Sequence, residues 1–124
     1  REGVGVLVTA QDMEDTYLPA FKVGVQRGGA SCIMCSYNAE TYGAGIFGDG
    51  TQGGAIPSCA NQFTMTELAR KRWGFDGYIV SDCYAVNRVQ DRHHYTNQTH
   101  DTINATLAAG MDLECGNTLS AANM

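Results

Sequence analysis

Apolar residues recur along the chain first at helical and then at strand spacing, and the alternation repeats. Over residues 12–26, Met13, Leu18, Phe21 and Val25 follow a roughly helical spacing, with Thr9 or Asp12 available as the cap and Gly28-Gly29 as the stop. Residues 30–37 then read as a strand. Over residues 62–73, Met65, Leu68, Ala69 and Trp73 stand at i, i+3, i+4 and i+8, one face of a helix packed on a sheet. Tyr78-Ile79-Val80-Ser81, introduced by Gly74 and Gly77, is a β-prone run of the kind buried in parallel sheets. A third helical stretch covers residues 101–109, and Gly110 stops it before a short predicted strand over residues 111–114. Strands alternating with helices predict an α/β fold with adjacent parallel strands.

The chemistry concentrates in Trp73 to Val86, WGFDGYIVSDCYAV, which delivers Asp82 to the end of the predicted strand. Carboxyl ends of parallel strands are where α/β folds bind ligands. By position alone Asp82 reads either as a site carboxylate or as the cap of a following helix. The segment resembles the nucleophile region of glycoside hydrolase family 3, whose members carry a GF-G-(Y/V)-(I/V)-V-S-D pattern ending in the catalytic aspartate. Four further segments resemble that family in the same order: TAQDMEDTYLPAF from Thr9, MCSYN from Met34, HHYT from His93 and AGMDLECG from Ala109. The resemblance implies a partial (β/α)8 TIM barrel, comprising later βα units of the family's N-terminal domain.

A complete barrel of this kind needs about 250 residues. The chain has 124, begins at Arg1 and contains no apolar run near the length of a membrane span, so it reads as residues 1–124 of one barrel domain, with any targeting sequence lying outside it. The remaining barrel and a second domain of a full-length chain are its expected partners. A hydrophobic content of 44% is that of a globular protein, and a net charge of −5 with eight scattered basic residues argues against a nucleic-acid surface.

Residues 39–56 depart from the family, which passes from SYN through a short turn to a Ser-Cys pair. Here ETYGAGIFGDGTQGGAI intervenes before Pro57-Ser58-Cys59. This Gly-rich excess reads as an inserted loop at the mouth of the site or as a translated intron; a spliced message lacking these codons would decide for the second. It also contains Gly43-Ala44-Gly45-Ile46-Phe47-Gly48, a G-x-G-x-x-G string with Glu67 downstream. A dinucleotide site requires those glycines to open a helix, and Asp49-Gly50-Thr51-Gln52-Gly53-Gly54 does not sustain one. No cofactor is expected.

Five cysteines are present. Cys32 and Cys35 are three apart on a predicted strand, which sends them to opposite faces and disfavours zinc, so no metal site is expected. Composition allows either disulfides or packed thiols. The resemblance implies a Cys83–Cys115 pair lining the sugar pocket, as in the family's β-xylosidases, and similarly a Cys35–Cys59 pair, leaving Cys32 as a buried free thiol. The triplets Asn97-Gln98-Thr99 and Asn104-Ala105-Thr106 are N-glycosylation sequons. With the cysteines they favour an extracellular, secreted protein.

Glycosidic bonds break through an oxocarbenium-like transition state. A retaining enzyme places two carboxyl groups about 5 Å apart, one attacking the anomeric carbon and the other protonating the leaving oxygen. Asp82 is the expected nucleophile, and no residue of this chain matches the family's acid, a glutamate from a second domain. The resemblance implies substrate-binding roles for Tyr37, Met34, Cys83 and Arg1, the last by its spacing from Asp12, while the family's Lys-His pair would lie before Arg1. Asp12, Glu14 and Asp15 are expected to stabilise a helix start, Asp76 to form a turn, and Asp112 to make structural hydrogen bonds.

Family β-glucosidases commonly carry Trp directly after the nucleophile, whereas the xylosidase branch carries Cys, as here at Cys83. The expected activity is thus a β-xylosidase, with α-L-arabinofuranosidase activity as an extension, acting on xylo-oligosaccharides or aryl and alkyl glycosides. The alternatives are a β-glucosidase, an inactive truncated homologue, or a nucleotide-binding α/β domain. The isolated chain is expected to be inactive and to fold poorly, since half a barrel leaves open sheet edges.

Overall fold

The computed structural model describes residues 2–42 and 54–124. Arg1, most of the Gly-rich segment and its G-x-G-x-x-G string lie outside the described residues. The first helix, α1, runs over residues 10–26. Thr9 caps it by accepting the Asp12 N–H at 3.0 Å. Across Met13–Tyr17 its turns widen to i→i+5 bonding, Leu18 N–H reaching Met13 O. These wider turns accommodate Pro19, which has no N–H to donate and whose ring crowds the carbonyl four residues earlier. Only Leu18 of this helix is buried; Tyr17, Phe21 and Val23 are exposed, the first two on the rim of the cavity that Asp82 lines.

A two-stranded parallel sheet forms the centre. With β1 (Gly5–Val6) preceding α1, the strands β2 (Cys32–Cys35) and β5 (Tyr78–Ser81) pair in register from Cys32↔Tyr78 to Cys35↔Ser81. The connection between them contains the helix α2 (Phe63–Arg72), wound with i→i+5 bonding to the Trp73 N–H on Leu68 O, which buries Phe63, Met65, Leu68 and Ala69. Gly77 admits no side chain, because a Cβ there would lie 2.2 Å from Ser31 O. Ile79 and Val86 are wholly buried and pack with Met65, Ala69, Phe75, Val89, Ala109 and Met111.

Strand parity divides this sheet into two unlike faces. Cys35, Ile79 and Ser81 are buried toward the helices, whereas Cys32, Met34 (55% exposed) and Tyr78 (49% exposed) lie on an open face. The strand at residues 78–81 is therefore not buried on both sides, contrary to expectation. Cys32 is likewise an exposed thiol rather than a buried one, because it occupies the open face.

Three further differences from the sequence reading are tertiary in origin. The strand expected at residues 111–114 is reduced to a single parallel bridge, Leu113↔Val80, with the Asp112 and Leu113 N–H groups both directed at Ile79 O. A helix not anticipated, α3 (Ala85–Asp91), precedes α4 (Thr99–Ala109). At the ends of the Gly-rich segment, β3 (Ala39–Glu40) pairs in parallel with β1 and antiparallel with β4 (Ile56–Pro57).

Asn61 locks β3 to α2. It is fully buried, its Nδ2 donates to Tyr42 O at 3.0 Å and to Glu40 Oε1 at 3.1 Å, and its Oδ1 accepts from the Phe63 and Thr64 N–H groups. Asn61→Ala is expected to destabilise the full-length protein by about 2–4 kcal/mol, since it strands buried donors and acceptors. Urea denaturation measures this directly.

Candidate active site

Asp82 follows β5 with the parity of Tyr78 and Val80, on the open face of the sheet. Its N–H donates to Cys35 O at 2.9 Å, which holds it beside the end of β2. Its side chain does not cap α3: Oδ1 instead accepts the adjacent Cys83 N–H at 2.7 Å. The carboxylate is partly exposed and lines a cavity of about 760 Å³ together with Met34, Ser36, Tyr37, Asn38 and Glu40.

Two long-range contacts shape the rim. The Tyr37 hydroxyl donates to Cys83 O at 2.6 Å, joining the end of β2 to the residue after Asp82. His93 Nε2 lies 2.7 Å from Tyr37 O; a carbonyl only accepts, so this nitrogen bears the proton. The turn after Asp82 is held by disulfide Cys83–Cys115 and by the Tyr84 N–H, which donates to Cys115 O at 2.6 Å. Tyr84 takes a left-handed conformation there (φ 65°), a conformation non-glycine residues adopt at a cost. A second disulfide, Cys35–Cys59, ties the end of β2 to the turn before α2.

The structure thus brings Met34, Tyr37 and Asp82 onto one cavity. Cys83 does not line it, but adjoins it through Asp82 and Tyr37. Asp112 takes a structural role, accepting from Arg70 and from the Ile79 N–H at 2.7 Å. Asn97 and Asn104 are both exposed, while Thr106 of the second sequon is buried and donates to Thr102 O at 2.9 Å. Among the described residues no cluster of metal-binding side chains occurs, and no helix is long and apolar enough to cross a membrane.

Glu40 is the cavity residue that the sequence reading missed. Its Oε1 accepts from Asn61 and its Oε2 from Asn38, each at 3.1 Å. Burial pushes its carboxyl from the ordinary 4.5 up to about 7, opposed by the Asn61 hydrogen bond. The folded chain therefore keeps this proton over a range where an unfolded glutamate releases it. The resulting stabilisation is complete below about pH 4.5 and is lost as pH rises to about 7. Melting of the full-length protein should show this decline between those values, and Glu40→Gln should remove the Glu40 share of it.

Asp82 thus stands at the carboxyl end of a parallel strand on a ligand-sized cavity, the position at which parallel α/β folds bind ligands. The chain belongs to glycoside hydrolase family 3: the model described as "Glycosyl hydrolase family 3 N terminal domain" matches residues 2–121. It is 40% identical over 116 residues to "Probable beta-D-xylosidase 6" of Arabidopsis thaliana, covering 94% of this chain and 13% of that protein. It is 36% identical over 119 residues to "Beta-xylosidase/alpha-L-arabinofuranosidase 2" of Medicago sativa subsp. varia, covering 96% of this chain and 14% of the relative. Among solved structures, a GH3 exo-beta-xylosidase (XlnD) in complex with a xylobiose aziridine activity-based probe superposes with a TM-score of 0.81. That match has 32% identity and covers 95% of this chain and 14% of the other.

Proposed function

We propose that this chain is the nucleophile-bearing part of a longer retaining exo-β-xylosidase, secreted and glycosylated at Asn97 and Asn104. Asp82 attacks the anomeric carbon of a terminal β-1,4-linked xylose to give a covalent glycosyl-enzyme, and water then releases xylose with its configuration retained. The general acid comes from a second domain of the full-length protein, and the open face bearing Met34 and Tyr78 is covered by the rest of a (β/α)8 barrel. By itself the 124-residue chain is inactive.

The observation that carries this reading is the position of Asp82 at the carboxyl end of β5, on one cavity with Tyr37 and Met34. Tyr37 offers a sugar both a flat apolar face and a polar edge. The substrate assignment is supported by the names of the relatives and by the cysteine that directly follows Asp82, which by resemblance marks the xylosidase branch. α-L-Arabinofuranosides are a second substrate class, in keeping with the double name of the Medicago relative.

Assaying the full-length enzyme on nitrophenyl β-xyloside and β-glucoside, with NMR of the first-formed sugar, tests the proposal. Preferred xyloside cleavage and β-xylose as first product are expected. A preference for glucoside overturns the pentose assignment, and α-xylose overturns the retaining mechanism.

A further inference from the structure

The cavity lined by Asp82 contains a second carboxyl group for which the proposed mechanism has no use. Glu40 lies on β3, with Val6 and Ile56 as its register partners, so neither neighbouring strand sets a charge opposite it. Two amides fix its plane: Asn38 Nδ2 binds one oxygen and Asn61 Nδ2 the other. Asn38 is itself oriented by the Ser36 hydroxyl, and Asn61 is wholly buried. Among the described residues, each carboxyl oxygen thus keeps one acceptor position, both held in a fixed geometry on a cavity-lining residue.

Two acceptor positions on one rigid carboxylate match a vicinal pair of hydroxyl donors, and a pyranose ring presents such pairs. We propose that Glu40 is a specificity-determining residue that binds adjacent hydroxyls of the sugar on the leaving-group side of the scissile bond. This rests on the reading of Asp82 as the nucleophile, which assigns the same cavity to a glycoside. Substrates whose leaving group is a second xylose engage Glu40, and substrates with a simple aryl or alkyl leaving group do not.

The ionised carboxylate is the form that accepts two hydroxyl hydrogen bonds. The titratable groups near β3 are Tyr42, two residues on, with Glu14 of α1 bonded to its hydroxyl and Arg72 of α2 acting on it electrostatically. Across the cavity stand Asp82, Tyr37 and Tyr17. Burial leaves the Glu40 proton to depart near neutrality. Discrimination in favour of the disaccharide therefore rises with pH through the neutral range.

The test compares kcat/KM for xylobiose with kcat/KM for ethyl β-xyloside, whose alcohol leaving group needs the same general acid but carries no vicinal hydroxyls, in the full-length enzyme between pH 5.5 and 8.5. The ratio of the two should rise about tenfold across that range, the worth of hydrogen bonds to a charged group. In Glu40→Gln it should be flat and about tenfold lower at pH 8.5. A wild-type ratio independent of pH, or a Glu40→Gln ratio equal to that of wild type, overturns the inference. The wild-type measurement requires no variant to fold. Labelling of Asp82 by a 2-deoxy-2-fluoro xyloside in the same preparation separates the two layers. Labelling with an invariant ratio overturns the role of Glu40 alone, whereas absent labelling overturns the reading of the site and this role with it.

Discussion

Replacing Asp82 by Gly in the full-length enzyme lowers kcat on nitrophenyl β-xyloside by at least about 10⁴-fold, the scale of losing a covalent nucleophile. The substitution removes the carboxylate proposed to form the glycosyl-enzyme and leaves the cavity wall of Met34 and Tyr37 in place. Azide admitted to the vacated space attacks from the same face, restoring turnover and yielding α-xylosyl azide. A residue needed only to shape the turn before α3 shows no such rescue. The backbone contacts of Asp82, its N–H to Cys35 O and its carbonyl accepting from Ala85, do not depend on its side chain, so the fold tolerates the change.

Removing the Cys83–Cys115 disulfide is the second large effect. Cys83→Ala with Cys115→Ala releases the turn on which Tyr84 is held in its left-handed conformation. Stability falls by about 3 kcal/mol, from the restored freedom of the unfolded chain. The more telling result is specificity: the disulfide does not line the cavity but fixes the Cys83 carbonyl that holds the Tyr37 hydroxyl, so its loss frees Tyr37 and lowers the xyloside-to-glucoside ratio of kcat/KM by about tenfold. An unchanged ratio with lowered stability would leave the disulfide a purely structural role.

The elements legible in the sequence are those whose signals are local. The i, i+3, i+4, i+8 pattern from Met65 to Trp73 appears as α2, and the glycines before Tyr78 appear as the boundary of β5. Residues 101–109 fall within α4, stopped at Gly110 in a left-handed conformation. α3 left no such signal: it is seven residues long, has no side-chain cap and is preceded by a strained tyrosine. β1, β3 and β4 are two residues each, and their pairing is set by contacts across the fold.

The same distinction applies to the site. Asp82, Tyr37 and Met34 sit in motifs, and the cavity gathers all three. The disulfide partners were implied by family resemblance; composition alone left packed thiols open. Glu40 was invisible because the contact that fixes it to the buried side of the fold is distant in sequence. Asn61 lies 21 residues away, and the segment between them reads as featureless glycine-rich chain. The outward Tyr78 differs from expectation for a related reason: a β-prone run reads as buried on both faces, but in this chain only one face meets helices.

The central claim is that Asp82 forms a covalent bond to the sugar. Incubating the full-length enzyme with a 2-deoxy-2-fluoro-β-xyloside slows breakdown of the glycosyl-enzyme and lets it accumulate for peptide mass analysis. The expected result is one fluoroxylosyl group per chain, carried by Asp82 in the peptide spanning Gly77 to Arg88. Attachment to another residue, or turnover that proceeds undiminished with no adduct at Asp82, would contradict the account.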